Sequence, residues 1–472
     1  MKGDTNVKCR VAVVGSGMAG LATAYLLNQD PESRYNVEVF EIGGQLSLDS
    51  SSLSVPNPAT GITERIDLPM RAFSGGFYNN LRDMYDFLGV TYRPQRFLFG
   101  FSSIASKLSC MSQKPTERLH FVHSSNNHIR FPIRPQTATL ISHLFEIGYL
   151  IVWYAWFTVC CFVVPPLPYE SFRSYIRRIR LPRYFVSSYL LPLFSSVATC
   201  PHEALLEFPA HDLIDYKKKT NGDQHYTVYG GVNQVQRKLS QGLQIRKAAR
   251  VVSVEPQAQG IRVCWESMLD NPRSDMSEAI FDKIILAVPP NVVQAIFKPL
   301  QYEMSQIPTI SVQSVVHADE TTIGRLSGTD ILHSLSAKPL MKSSDAQIIY
   351  LRTFAGDEPQ TESIHVQPSG LLVTTCPVAV INPAKITQCS TFTRVLRTPQ
   401  SRQIITDVFN RTSSGLQVHG EKSKTQWRNG DNGVWLVGGW CWDGMVLLEG
   451  CIVSSMIVAD AFGVEIPWKC CP

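Results

Sequence analysis

The sequence predicts an α/β protein whose mainly parallel sheet is assembled from distant parts of the chain. Three observations support this: an apolar run followed by spaced glycines near the N-terminus, an apolar run that ends in an acidic residue, and one that ends in a glycine pair near the C-terminus. Each has the pattern of a buried strand that leads into a turn and a helix. A chain of 472 residues is too long for one hydrophobic core and suits two or three compact units.

The composition indicates a folded chain that exposes some apolar surface. Apolar residues make up 44% of the sequence and charged residues 18%, which is below the roughly 25% of soluble domains. The net charge of +5 is concentrated locally, which argues against nucleic acid as a partner. The twelve cysteines form no CxxC pair and no His/Cys ligand spacing, so the sequence predicts no metal site.

The stretch VAVVGSGMAGLATAYLLN predicts a strand, a tight turn and a helix. Gly15 permits the turn, Gly17 lets the backbone approach a pyrophosphate, and Gly20 lets the helix pack closely on the strand. Met18 and Ala19 lie at the start of that helix, where backbone amides and the helix dipole favour a phosphate. The alternative is a sheet in which these glycines serve packing only.

The next predicted strand, VEVFE, ends in an acidic residue. Glu41 lies 21 residues after Gly20, where a carboxylate accepts hydrogen bonds from a ribose diol. Strand, glycines, helix, strand and acid therefore follow one another in the order of a Rossmann-like dinucleotide-binding domain.

A second glycine pair follows this acid. Gly43, Gly44 and Gln45 come first, and then IDLPMRAFSGGFYNNLRDMYDFLGV, which contains Arg71 ahead of a predicted amphipathic helix. At this point the chain resembles the superfamily of flavin-dependent amine oxidases and phytoene desaturases. Gln45 stands where an arginine or histidine often follows the pair in that superfamily. The resemblance implies that the chain binds FAD in a discontinuous Rossmann-like domain of the GR2-type. It also implies that Gly43, Gly44, Gln45 and Arg71 lie at the cofactor.

The superfamily also has an acidic residue ahead of a glycine near the flavin. Asp67 is the acidic residue here, but Pro69 lies near the expected glycine. This difference affects the substrate side more than the cofactor side.

A middle block runs from YTVYGGVNQVQRKLSQGL to FDKIILAVPPNVVQAIF. Its pattern predicts a glycine turn into a helix, a hairpin about QAQG and a buried strand that ends in a proline pair. The resemblance implies that this block returns to the cofactor domain and that the backbone near Val251 lies by the adenine.

A C-terminal block, GVWLVGGWCWDGMVLLEGCIVSSMIVADAFG, predicts a buried strand, a turn and a helix of small residues. The strand ends in Gly438 and Gly439, and Glu449 and Gly450 open the helix. The resemblance implies that the glycine pair packs against the flavin and that the amides near Glu449 and Gly450 face its pyrimidine end. A helix dipole would stabilise negative charge there. A C-terminal core helix is the alternative.

Within the superfamily, the chain is most similar to the FAD oxidoreductases associated with cyclopropane fatty acid synthases. The segments LPLFSSVATCPHEALLEFPAHDLIDY and VVHADETTIG carry this likeness, with a looser one to carotenoid desaturases and isomerases. The implied architecture is an FAD-binding domain and an inserted mixed α+β substrate domain. We predict that the first comprises residues 1–80, 222–300 and 425–472, and the second residues 81–221 and 301–424.

Residues 147–164 form a hydrophobic segment, IGYLIVWYAWFTVCCFVV, with no charged side chain. A single bilayer crossing would separate strands that must form one cofactor domain, so we expect a buried helix or one that dips into one leaflet. A true span stays open. In the dipping case, the arginines of residues 173–183 would lie at the headgroups. The polar N-terminus predicts no signal peptide, and we expect a cytoplasmic location, with membrane association left open.

The resemblance implies a hydride transfer from a substrate C–H to flavin N5, for which the protein supplies position and electrostatics. Trp440 and Trp442 are candidates to face the substrate or, equally, to serve packing. Asp443 and His202 are candidate bases, although no catalytic residue is assigned. The expected enzyme oxidises, desaturates or isomerises a lipid, a polyene or an intermediate of secondary metabolism. An amine oxidase and a membrane-associated flavoprotein without turnover are the alternatives.

Overall fold

The computed structural model describes residues 8–57, 61–105, 117–124, 134, 138–268, 276–323, 346–409 and 427–469. The strands in these ranges are β1 (Cys9–Val14), β2 (Tyr35–Phe40), β3 (Leu53–Pro56), β4 (Thr63–Ile66), β5 (Phe73–Ser74), β6 (Tyr92–Pro94), β7 (Arg96–Ala105), β8 (Glu117–Ser124), β9 (His225–Val228), β10 (Gln244–Arg246), β11 (Ala249–Gln257), β12 (Gly260–Ser267), β13 (Ser277–Phe281), β14 (Lys283–Leu286), β15 (Thr309–His317), β16 (Ala346–Ala355), β17 (Gln360–Val366), β18 (Leu372–Thr375), β19 (Ile386–Val395) and β20 (Val434–Leu436). The helices are α1 (Met18–Asn28), α2 (Asn79–Phe87), α3 (Leu140–Val163), α4 (Phe172–Arg178), α5 (Arg183–Phe185), α6 (Leu191–Ala198), α7 (His202–Leu206), α8 (Ala210–Lys219), α9 (Asn233–Ser240), α10 (Pro290–Ile296), α11 (Gln301–Ser305), α12 (Pro399–Phe409) and α13 (Leu448–Ala461).

A parallel sheet of five strands, in the order β10-β2-β1-β14-β20, forms the centre of the cofactor domain. Its strands come from the three distant parts of the chain that the sequence analysis singled out. The chain runs outward from β1 to β2 on one side and adds β14 and β20 on the other. Ligands of such sheets bind outside the carboxyl ends of the strands, at the point where the order reverses. The predicted Rossmann-like fold is confirmed.

The glycine turn after β1 packs against the end of β14. Gly15 adopts a φ of +105°, and a Cβ atom there would lie 2.6 Å from the carbonyl oxygen of Ala287. A Cβ atom on Gly20 would overlap the carbonyl oxygen of Gly15. Glycine is therefore required at both positions by the approach of α1 to the sheet.

The C-terminal helix α13 packs directly on α1. The Ser455 hydroxyl donates to the carbonyl oxygen of Ala19 at 3.0 Å, and the amide of Gly438 donates to the Ser454 hydroxyl at 3.0 Å. Small side chains on α13 thus let the N-terminal turn and the C-terminal glycine pair meet. This contact joins residues that are 436 positions apart in the sequence.

The predicted hairpin about QAQG is formed by β11 and β12, and β13 completes its antiparallel sheet. A register shift between Val251 and Ser253 leaves Val252 outside the strand pairing. Such a bulge bends the strand and exposes backbone groups at one point of its edge.

The inserted part of the chain forms a mixed sheet of seven strands in the order β19-β15-β18-β17-β16-β7-β8. The pair β16 and β7 is parallel, and the other neighbours are antiparallel. Helix α6 packs on β16 and β17, and α3 packs on α8. This is the mixed α+β architecture that was predicted for the insert.

Two of the predicted domain boundaries fall inside continuous structure. The boundary at residue 80 cuts α2, which packs on α13. The boundary at residue 300 separates side chains of one core: Met304, Val395 and Ile405, all placed in the insert, pack in the same cluster as Ile284 of the parallel sheet. The core of the cofactor domain thus contains side chains from both sides of the predicted borders.

The hydrophobic helix is longer than the predicted residues 147–164. It begins at Leu140, because the Thr139 hydroxyl caps it by accepting a hydrogen bond from the Ser142 amide at 3.1 Å, and it ends at Val163. By length and composition alone, α3 could cross a bilayer, and 22% of its most apolar window is buried. The alternative of a buried core helix is therefore wrong for most of its surface.

We expect Gly20→Ala to destabilise the fold by about 1–3 kcal/mol, because the added methyl group overlaps the Gly15 carbonyl. Gly148→Ala is the matched control, since a Cβ atom on this helical glycine meets nothing within 4 Å. Alanine there should stabilise by about 0.5–1 kcal/mol through helix propensity. Thermal unfolding of both variants checks the pair, and equal melting temperatures would contradict the assigned contact.

Candidate cofactor site

Glu41 lies buried at the carboxyl end of β2, beside the glycine turn. Its Oε1 accepts a hydrogen bond from the Gly43 amide at 2.7 Å, and its Oε2 accepts from the Ser16 amide at 3.2 Å and from the Ser16 hydroxyl. A carboxylate offers about four acceptor positions, so these bonds fix its orientation and still leave capacity for a ribose hydroxyl.

The glycine pair Gly43 and Gly44 joins the glycine turn after β1 to the hairpin of β11 and β12. The amide of Ala249 donates to the carbonyl oxygen of Glu41 at 2.8 Å, and Ala248 donates in the same way to Gly43 at 3.0 Å. Gly44 and Gln45 are exposed. Val251 and the bulge that follows it therefore lie close to Glu41, at the edge where the resemblance places the adenine.

Arg71 is a cation held inside the site. One of its terminal nitrogens donates to the carbonyl oxygen of Leu48 at 2.7 Å, while its Nε is buried without an acceptor among the described residues. Burial lowers the pKa of Arg71, and the nearby charge of Asp67 partly opposes this effect. Asp67 itself accepts from the Val232 amide through both oxygens, at 3.1 and 3.0 Å, and so fixes the start of α9.

Cys451 lies where the two distant glycine turns meet, and sequence reasoning missed it. Burial raises the pKa of its thiol to about 11, whereas the Arg71 charge and the amides of Gly439 and Ala19 act in the opposite direction. The only sequence signal was its position directly after Gly450. These contacts bring Arg71, Ala19 and Gly439 around one side chain.

The start of α13 is covered by Trp442. A Cβ atom on Gly450 would overlap the Trp442 indole, and one on Gly444 would lie 2.6 Å from the same ring. Trp442 makes an edge contact with Phe77, with ring centres 5.7 Å apart. Trp440 instead is buried and donates its indole N–H to Val288 at 3.2 Å, which favours a packing role.

The carboxylate of Glu449 points away from this turn, toward α2. It accepts hydrogen bonds from the backbone amides of Asn80 and Leu81, each at 3.1 Å, and from the Asn80 side chain at 2.6 Å. Burial raises the pKa of Glu449, and these bonds partly counter the shift. Glu449 therefore caps α2 and ties that helix to the start of α13.

Arg397 holds the turn between β20 and α13 from the side of the substrate domain. Its guanidinium donates to the carbonyl oxygens of Trp440, Trp442 and Gly444 at 2.7–2.8 Å, and it lies 3.4 Å from Asp212 of α8. Burial alone would raise the pKa of Asp212, but hydrogen bonding with His211 and the neighbouring arginines lower it.

The described residues contain one cluster that resembles a metal site: His211, Asp212 and Asp443. Both Asp212 oxygens face arginines, Arg397 at 3.4 Å and Arg402 at 3.1 Å, and Asp443 pairs with Arg402 as well. The cluster is thus an ion-pair network, which occupies the acceptor positions that a cation would need.

Both candidate bases are engaged by other side chains. His202 begins α7, is buried, and shares a 2.8 Å hydrogen bond with Thr361 of the large sheet. Burial lowers its pKa to about 4. Asp443 is largely exposed and pairs with Arg402. Both side chains therefore take part in contacts that stabilise the fold.

The residues around the glycine turn fit FAD. A Cβ atom on Gly17 would meet nothing nearer than the Ser47 hydroxyl at 3.9 Å, so the turn is open on the side that a pyrophosphate would approach. Glu41 retains acceptor capacity, and the buried Nε of Arg71 offers a donor to a phosphate or a flavin carbonyl. We therefore assign the ribose to Glu41, the pyrophosphate to the Gly15–Gly20 turn, and the flavin to the region between Arg71 and Gly439 as proposals.

Comparison with known proteins supports the fold and the cofactor. The family described as NAD(P)-binding Rossmann-like domain matches residues 13–88, and the family described as flavin containing amine oxidoreductase matches residues 165–339. An oxidoreductase from Methanosarcina mazei has a similar structure over 96% of this chain and 100% of its own, with 12% sequence identity and a TM-score of 0.50. At that identity the likeness shows the fold alone. Comparison with curated proteins gives no match.

The fold, the open glycine turn and the family matches define the chain as an FAD-dependent oxidoreductase. More particularly, residues 165–339 match the flavin containing amine oxidoreductase family, so this part of the chain is similar to oxidoreductases of the amine oxidase type. FAD as its cofactor, predicted from the sequence, is confirmed.

We expect Gly17→Val to abolish retention of FAD without unfolding the protein. The valine side chain would enter the open side of the turn, where no protein atom lies closer than 3.9 Å to its Cβ. Flavin absorbance per mole of purified protein measures the loss, and circular dichroism verifies the fold. Gly148→Val, at a glycine of α3 that also has open space around it, should keep its flavin, and full retention by both variants would contradict the assigned pyrophosphate site.

We expect Arg397→Ala to cost about 3–5 kcal/mol, because it leaves three carbonyls and part of the buried Asp212 charge without a donor. Arg402→Ala removes a partly exposed partner of the same carboxylate and should cost about 0–1 kcal/mol. Denaturant unfolding of the two variants tests the difference. Equal costs would show that the contacts to the turn add nothing.

Proposed function

We propose that this enzyme takes a hydride from a hydrophobic small molecule, such as a lipid, a polyene or an intermediate of secondary metabolism. Bound FAD supplies the hydride acceptor at N5 of its ring. The protein then has to hold a substrate C–H at about 3–3.5 Å from that atom and exclude water. The observation that carries this proposal is an aromatic surface with a partly buried cation next to the start of α13.

Four aromatic side chains form this surface. Phe77 is central, with ring centres 5.0 Å from Tyr78, 4.9 Å from Tyr216 and 5.7 Å from Trp442. They come from the segment before α2, from α8 and from the turn before α13. Phe77 and Tyr78 are buried and hold the cluster together, whereas Tyr216 and Trp442 are partly exposed and offer rigid apolar area to a substrate recognised by shape and burial.

Arg394 adds a positive charge beside these rings. It is anchored by hydrogen bonds to the carbonyl oxygens of Val197 and Ala198 at the end of α6, at 3.2 and 2.9 Å. Burial raises the pKa of both Tyr78 and Cys451, and the charge of Arg394 acts against this rise at each. A protonated amine would be repelled at the same place, whereas an apolar or acidic substrate would not.

The surroundings of the candidate bases also favour hydride transfer without a dedicated base. His202 and Asp443 are engaged elsewhere, as described above. The part of the chain that the structure describes therefore contributes position, an apolar wall and electrostatics. This is the division of labour expected when the cofactor carries the chemistry.

Two other functions need to be distinguished. The match to the flavin containing amine oxidoreductase family favours an amine oxidase as the second candidate. A flavoprotein without turnover is the third. The finer likeness to oxidoreductases associated with cyclopropane fatty acid synthases is a proposal that rests on the sequence segments quoted above.

Anaerobic bleaching of the purified yellow enzyme tests the proposal. We expect unsaturated fatty acids or polyenes to reduce the flavin and primary amines to leave it oxidised. Trp442→Ala should keep its FAD and slow bleaching about tenfold, which corresponds to roughly 1.4 kcal/mol in the barrier. Tyr302→Ala, an exposed aromatic residue, serves as the control. Bleaching by amines would establish the second candidate, and no bleaching by either class would favour the third.

A further inference from the structure

Helix α3 presents a continuous apolar face to solvent. Between Ile141 and Val163, Ser142 is the one polar side chain among the exposed residues of the helix. The large side chains recur at helical spacing and are each more than half exposed: Ile141, Phe145, Ile151, Val152, Phe162 and Val163. At 1.5 Å per residue, this face is about 33 Å long. Monomeric soluble proteins rarely leave so large an apolar patch uncovered.

The opposite face of α3 packs on the protein. Leu150, Phe157 and Cys161 are buried there, and α8 lies against the helix. The Tyr175 hydroxyl of α4 also donates to the carbonyl oxygens of Cys160 and Val164, each at 3.0 Å. Because one whole side is covered by protein, α3 has a fixed orientation and offers only its exposed side to a partner.

A transmembrane crossing by α3 conflicts with the topology. Strand β7 precedes the helix and pairs with β16, which follows it, so both flanks of α3 return to one sheet. A crossing would place these paired strands on opposite sides of the bilayer. The helix can therefore enter a membrane only by lying in its surface, with the apolar side down.

Several arginines lie in the segment that follows α3 along the chain. Arg177, Arg180 and Arg183 are exposed and form no ion pair with any residue in the described part of the chain, whereas Arg173 and Arg178 are paired with glutamates. The segment that carries these arginines is hydrogen-bonded to α3 at two points.

The two anchors set where the arginines lie. The Trp156 indole donates to the carbonyl oxygen of Ile179 at 2.8 Å, and the Tyr184 hydroxyl donates to Glu146 at 3.0 Å. The segment between Ile179 and Tyr184 thus runs beside α3 over about 15 Å of its length. Two of the unpaired arginines, Arg180 and Arg183, lie in it.

We propose that α3 and the neighbouring arginines form a docking face for an anionic lipid bilayer, on which the enzyme lies without crossing it. An apolar helical face with unpaired cations along its border matches acyl chains beneath anionic headgroups. A second copy of the chain fits less well, because it would bring another set of the same arginines to the interface. The acidic residue of α3, Glu146, is already held by Tyr184 and Tyr189.

Flotation of the FAD-loaded enzyme with vesicles tests this proposal. We expect the wild type to float with phosphatidylcholine vesicles that contain phosphatidylserine, and more weakly with phosphatidylcholine alone. Val152→Glu with Val159→Glu should abolish flotation with both. Ile62→Glu with Val380→Glu is the matched control, because these two apolar side chains are exposed elsewhere. The control should float like the wild type.

A second pair of variants isolates the arginines. Replacing Arg177, Arg180 and Arg183 by glutamine should lower the partition coefficient for anionic vesicles by about 100-fold and leave that for neutral vesicles unchanged. Glutamine at Lys247, Lys298 and Lys469, which are exposed elsewhere, changes the net charge equally and should have no such effect. Equal losses in the two triple variants would show that only the overall charge matters and would overturn the docking face.

A measurement on the unmutated helix guards against misfolded variants. Trp156 lies on the apolar face and is 47% exposed, so brominated phosphatidylcholine should quench its fluorescence, and Trp156→Phe should remove the quenched component. Failure of the wild type to float, or flotation without this quenching, would overturn the proposal. The proposal would also be overturned if the wild type formed a dimer in solution and did not bind vesicles, while the variant with both glutamates was monomeric. That result would assign the face to a second copy of the chain.

Discussion

Arg397 fixes how the substrate domain sits on the cofactor domain. It follows the last strand of the large sheet, yet its guanidinium is buried against three carbonyl oxygens of the turn before α13 and against Asp212 of α8. Two structural parts with separate sheets are thereby joined at the point where the flavin is proposed to lie. A buried cation is expensive to leave without partners, so this arrangement tolerates little displacement. The aromatic surface around Phe77 depends on it, because its members come from both sides of this junction.

The glycines of the cofactor domain divide into two physical classes. Gly15, Gly20 and Gly450 are required by neighbouring protein atoms, since a Cβ atom on each would collide with a carbonyl oxygen or with an indole. Gly17 and Gly44 have open space around them. A packing requirement therefore explains the first class, whereas no packing contact explains the second, which is consistent with the proposed pyrophosphate site at Gly17. The packing-only alternative considered for the N-terminal turn accounts for two of its three glycines and fails at Gly17.

The sequence predicted the local units well because their signals are local. Apolar runs, glycine turns and the hairpin about QAQG each lie within a few tens of residues, and the structure confirms them. It could not predict contacts that arise only when distant segments meet. Glu449 caps a helix 369 positions away, and Arg397 donates hydrogen bonds to a turn 43–47 positions further along the chain. The same applies at the predicted border near residue 300, because Val395 and Ile405 share a core with Ala12 and Ile284 of the parallel sheet, which lie far away in sequence.

Helix α8 connects the two surfaces for which we make proposals. On one side it packs on α3, where Lys217 lies over the Tyr154 ring at 5.9 Å. On the other side, Tyr216 contacts Phe77 with ring centres 4.9 Å apart, and Asp212 pairs with Arg397. The distance between α3 and the aromatic surface is thus close to one helix diameter, about 10 Å. A docked enzyme would hold its site just above the headgroups, within reach of a substrate that partitions into the bilayer. If both proposals hold, the apolar exterior of α3 and the aromatic surface around Phe77 serve one requirement, the handling of a molecule that water does not dissolve.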